Sequence, residues 1–157
     1  ESAKREARGL LDGRVATGPG TATGAGESSL ADALAALRIG DALVIAAFVD
    51  PALEAQLAAA RRALSERAGV AVTLGIGPRF LHSTGQLHKG GADRHVVIQV
   101  LDEPSAADPS ADVAIPGQTF TFGQLLRAQA DGDLAALAAA DKRAVRVPLA
   151  ELLAEIP

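Results

Sequence analysis

The stretch DALVIAAFVDPALEAQLAAARRALSERAGVAVTLGI, residues 41–76, decides the fold. Its first part, Ala42 to Val49, is eight apolar residues without alternation, the pattern of a strand covered on both faces as in a parallel sheet. Asp50-Pro51 then supplies a helix N-cap acceptor and a first-turn proline, whose missing N–H costs nothing there. Leu53, Leu57, Ala60 and Leu64 recur at spacings of four, three and four, one stripe of a helix predicted over about 51–68 and ended by Gly69. A second apolar strand, Val70 to Ile76, follows at once. Parallel strands need a crossover of this length, so residues 41–76 read as one β-α-β unit.

Working outward, Ser28 or Ser29 offers an N-cap, and Ser29 with Asp32 approximates a capping box. The short helix it starts carries Leu30, Leu34 and Leu37 on one face and is expected to stop at Gly40. Before it, TGPGTATGAG at residues 17–26 suits neither helix nor strand. Residues 1–27 are therefore read as an N-terminal helix and Gly/Thr-rich linker, and 28–157 as one domain. Downstream, His95 to Leu101 is a third strand, followed by an acidic, proline-containing loop from Asp102 to about Ala114. Thr119 or Thr121 caps a helix carrying Phe122, Leu125 and Leu126, expected to break near Asp131-Gly132 and resume through Leu134 and Leu137. Ala144 to Val147 is a last strand before Pro148 and a leucine-rich tail. Strands alternating with helices predict an α/β fold, an open, mainly parallel sheet of about four strands with helices on both faces.

The composition excludes several functions. Hydrophobic residues are 48% of the 157, aromatics 3%, and cysteine is absent, so the core is small-aliphatic and no disulfide or cysteine metal site exists. A net charge of −4 with mixed signs gives no field for phosphate backbones, and nucleic acid is not an expected partner. The eight-residue run at 42–49 falls far short of the roughly 20 residues that cross a bilayer, and no membrane partner is expected. A chain starting at Glu1 in a charged helical pattern is expected to be a fragment of a longer, cytoplasmic one.

Candidate chemistry concentrates in GPRFLHSTGQLHKGG, residues 77–91, placed after a strand's carboxyl end where parallel sheets bind ligands. Ser83, Thr84 and Gly85 supply hydroxyls and a permissive backbone at a predicted helical start, and Arg79 and Lys89 supply charge for a phosphate. His88 adds a group able to donate and accept a proton in one turnover. The plainer reading is a solvated loop shaped by Gly90-Gly91. A metal site from His82, His88 and His95 is disfavoured, because spacings of six and seven put no pair on one helical face. No phosphate-loop, dinucleotide or nucleophile-elbow motif is present, and no cofactor is expected.

The run TLGIGPRFLHSTGQLHKGG at 73–91 closely resembles a segment near the C-terminus of bifunctional transaldolase/phosphoglucose isomerase fusions, and IPGQTFTFGQLLRAQADGDLAAL at 115–137 resembles the segment that follows it. Order and spacing agree from GDALVIAAF at 40–48 to RAVRVPL at 143–149. The resemblance implies a second sugar-isomerase (SIS) subdomain, doubly wound, in an enzyme interconverting glucose 6-phosphate and fructose 6-phosphate. It implies sugar phosphate as ligand, the transaldolase and first SIS portions as partners, and room for a homo-oligomer. Thr84-Gly85-Gln86-Leu87-His88 is similar to the family's T-x-G-Q-H setting with one residue inserted, so the resemblance implies ring opening by His88, with Gln86 beside the substrate. Ser65-Glu66-Arg67-Ala68-Gly69 weakly resembles the setting of the family's proton-transferring glutamate. A helix-ending surface glutamate is the plainer reading of Glu66. The family's late lysine has no counterpart, and Lys89 is the chemical substitute. A non-catalytic phosphosugar-binding module and a structural domain completing an oligomer remain the alternatives.

Overall fold

A computed structural model describes residues 29–102 and 112–156. Helix α1 (Leu30–Ala35) leads to strand β1 (Ala42–Phe48); a 3-10 turn (Pro51–Leu53) opens α2 (Glu54–Ala68), which returns to β2 (Val72–Ile76). A second 3-10 turn (Arg79–His82) and helix α3 (Thr84–Gly90) lead to β3 (His95–Leu101), and α4 (Phe122–Ala139), β4 (Arg143–Pro148) and α5 (Leu149–Leu153) complete the order. The expected N-terminal helix and linker lie outside the described residues, as does most of the acidic loop after Asp102.

The local signals act as their chemistry requires. Asp50 Oδ1 accepts from the Ala52 N–H at 2.8 Å with Pro51 in the first turn. Gly69 closes α2 in the left-handed conformation, φ 66°. Ser29 and Asp32 form the capping box of α1. Thr121, not Thr119, caps α4: its hydroxyl accepts from the Gln124 N–H at 3.1 Å, and the Gln124 side chain accepts from the Thr121 N–H at 3.0 Å.

All four strands are parallel, in the order β2-β1-β3-β4. In β1, Leu43, Ile45 and Ala47 face α1, α2 and α5, while Val44, Ala46 and Phe48 face the 3-10 turn at 79–82 and α4, so both sides of the strand are core. That is the physical content of the unalternating run. The fold is an open α/β sheet covered on both faces. Since β2 lies on one side of β1 and β3 on the other, the topological switch point falls between the carboxyl ends of β1 and β3, where Asp50 and Asp102 leave the sheet.

Three expectations change. Helix α4 does not break at Asp131-Gly132 but runs unbroken over 18 residues. Asp131 pairs with Arg146 at 2.7 Å, Asp133 pairs with Lys89, and the Ala130 carbonyl accepts from buried Gln99 at 2.8 Å. These contacts outweigh the ~1 kcal/mol that a glycine costs a helix interior. Helix α1 ends at Ala35, before Gly40, which turns at φ 84°. Strand β4 extends through Pro148, which an edge strand tolerates because its nitrogen need not donate. Among the described residues no helix is long and apolar enough to cross a membrane.

Candidate functional site

The segment at 77–91 begins where expected, beyond the carboxyl end of β2. That strand is at the sheet's edge, however, so the segment does not sit at the switch point. The chain then runs back along the sheet as α3. His88, near the end of α3, lies beside His95, the first residue of β3. Strand β3 has seven residues, so at about 3.3 Å per residue His88 stands roughly 20 Å from the carboxyl edge.

Sequence alternation explains what α3 covers. In β2, Val72, Leu74 and Ile76 point to the α2 side, leaving Thr73 and Gly75 for the α3 side. Phe80 fills part of this shallow surface, 5.4 Å from Phe48 in an edge-to-face contact. The remainder is a cavity of about 180 Å³ with mostly apolar walls, reaching from Val44 and Gly75 to Leu87, His88 and His95. Two glycines serve packing here. A Cβ on Gly77 would come within 2.6 Å of the Phe48 ring, and one on Gly85 within 2.9 Å of the Phe80 carbonyl.

The candidate residues separate into groups. Arg79 and Ser83 stay near the carboxyl edge, where with Glu54 and Phe80 they line an open crevice of about 280 Å³. The Ser83 hydroxyl donates to the Phe80 carbonyl at 3.3 Å, leaving its lone pairs to other donors. Thr84 is exposed, and Gln86 is tied back to its own turn, its side-chain N–H donating to the Leu81 carbonyl at 2.6 Å. Gly85 is buried against Phe80, so its missing side chain serves packing rather than backbone access to a ligand.

His88 is half-buried, and its ring centroid is 5.7 Å from that of His95, the planes tilted by 57°. Burial holds its imidazole below the ordinary value; His95 pushes the same way, Asp133 opposes, and Lys89 adds to the lowering. Lys89 is not free. Its ammonium pairs with the Asp133 carboxylate, the two side chains being 12% and 2% exposed, which joins the last turn of α3 to α4. Glu66 is exposed on α2, on the opposite face of the sheet from α3.

Sequence reasoning missed Asp133 and Glu54, and considered His95 only as a metal ligand. Period-two alternation in β3 was the available signal for His95: Val96, Ile98 and Val100 lie on the α1 and α5 side of the sheet, so His95 lies on the α3 side. Asp133 had no local signal, because its partner is 44 residues distant in the chain. Among the described residues no three His, Asp or Glu side chains are grouped as metal ligands.

No family model matches the chain, and no curated protein matches it. Among solved structures it is similar to the crystal structure of a hypothetical protein, TT0462, from Thermus thermophilus, with a TM-score of 0.59 and 23% identity. The match covers 73% of this chain and 31% of that one, so this chain spans about a third of its length. At that identity the likeness is one of fold.

Proposed function

We propose that this chain is the C-terminal, sugar-isomerase-like part of a glucose-6-phosphate isomerase in a cytoplasmic transaldolase/isomerase fusion, and that His88 is its proton-handling group. The state of His88 carries this reading: a half-buried imidazole whose affinity for a proton is lowered by burial and by a neighbouring imidazole. Such a ring is neutral near pH 7 and ready to accept. Opening a hemiacetal ring needs the C1 hydroxyl proton removed and the ring oxygen protonated as the C1–O bond breaks. One imidazole can do both in turn.

The later proton transfer between C2 and C1 needs a second base. Glu66 faces away from His88 across the sheet and cannot be that base for the same bound sugar, and Lys89 is held by Asp133. In this reading neither residue is given the second proton transfer. The substrate and its second base then come from the first SIS portion or from another subunit, meeting α3 from outside. A second reading, a phosphosugar-binding module, is supported by the crevice that Arg79 and Ser83 line together with Glu54.

Turnover of fructose 6-phosphate by a longer protein carrying this segment tests the proposal. His88→Ala should lower kcat by ~10²–10⁴, the usual range for a lost general acid–base, with KM nearly unchanged. Arg79→Ala raising KM while His88→Ala leaves kcat intact would favour the binding module. Wild-type kcat in His88→Ala would refute the isomerase role.

A further inference from the structure

His95 stands outside the catalytic set drawn above, yet it is the nearest ring to His88. We infer that His95 is a positioning residue for His88: the two imidazoles act as one unit at the end of the cavity beneath α3, and His95 sets how His88 presents its ring and takes a proton. The inference rests on the isomerase reading for its purpose, but not for its physical content.

Four observations carry it. His95 opens a central strand, in register with Ala42 of β1, so its backbone is fixed by sheet on that side, whereas His88 rides on a seven-residue helix. The rings are 5.7 Å apart, close enough that charge on one ring disfavours charge on the other. The walls contributed by β1 and β2, from Val44, Ala46, Thr73 and Gly75, hold no carboxylate to offset such a pair. Finally, His95 Nδ1 is buried with no hydrogen-bond partner among the described residues.

The other charges near His88 do not supply what His95 does. Lys89 on α3 and Asp133 on α4 are paired, so their fields at His88 oppose one another. Lys142, after α4, donates to the Gly91 carbonyl at 2.7 Å. The cavity brings no other titratable side chain to the ring, and the lowered proton affinity of His88, attributed to burial and then to His95, agrees. In an aldose–ketose isomerase the arrangement keeps His88 an acceptor at neutral pH.

The test is an NMR pH titration of the imidazole protons of the 157-residue chain. In the wild type, the His88 ring signals should titrate with the lowered midpoint that burial and then His95 impose. In His95→Gln and His95→Phe, the latter keeping a ring in place, the His88 midpoint should rise by about 0.5 unit or more, the size expected of unit charges ~6 Å apart in a water-like dielectric. A His88 midpoint unchanged in both folded variants would overturn the inference. No substrate enters the measurement. Uncoupled rings with turnover lost in His88→Ala would sink this inference and leave the isomerase reading. Coupled rings with turnover retained would do the reverse.

Discussion

Removing the Lys89 ammonium should be among the costliest single changes near the site. In Lys89→Met the hydrocarbon stem is kept and the buried carboxylate of Asp133, 2% exposed in the native pair, loses its counter-ion. Breaking one side of a buried pair typically costs about 3–5 kcal/mol. The expected loss is therefore ~3–5 kcal/mol at pH 7. Asp133→Ala should cost less, because the flexible lysine, 12% exposed, can swing its charge to solvent. The double variant Lys89→Met/Asp133→Leu should lie within about 1 kcal/mol of wild type, since hydrophobic replacement of both partners is often neutral or stabilising. With no Trp or Tyr in the chain, urea unfolding would be followed by far-ultraviolet circular dichroism. A Lys89→Met loss below ~1 kcal/mol at pH 7 would refute the reasoning and return Lys89 to the list of groups available to substrate.

Two further outcomes follow from packing and charge. Asp41 accepts from Arg143 at 2.6 Å and from the Arg38 N–H at 2.8 Å, the Arg143 bond being the larger cause that lowers its carboxyl to about 2. Because the folded value lies below the unfolded one, this contribution is complete above ~4 and is lost as pH falls through about 2. Arg143→Met should move the acid-unfolding midpoint to higher pH, and an unchanged midpoint would argue against it. Gly85→Ala puts a methyl 2.9 Å from the Phe80 carbonyl and should destabilise by ~1–3 kcal/mol despite alanine's helix propensity. Gly90→Ala, with nothing within 4 Å of the new Cβ, should be neutral or stabilising by up to ~1 kcal/mol. Equal unfolding midpoints for the two would contradict the packing.

The fold was legible in sequence wherever a signal was local and strong. An apolar run unbroken by alternation, a proline one residue inside a helix and a glycine one residue past its end placed β1, α2 and β2 to within a residue or two. His95 to Leu101 was read with the boundaries the strand has. The break expected in α4 failed because local propensity near Gly132 is weaker than the contacts of its neighbours with Arg146, Lys89 and Gln99.

The candidate site divides differently. The residue types were determined by sequence alone: a histidine able to shuttle protons, hydroxyls and an arginine for an anion, glycines where ring and carbonyl crowd the backbone. Which of them share a place was decided only by tertiary structure. Strand order put β2 at the edge and away from the switch point. The direction of α3 carried His88 to the amino end of β3, apart from the Arg79 and Ser83 crevice. Pairing across 44 residues withdrew Lys89 into a buried ion pair. Such facts depend on contacts between segments distant in the chain, and no periodicity, cap or turn residue encodes them locally.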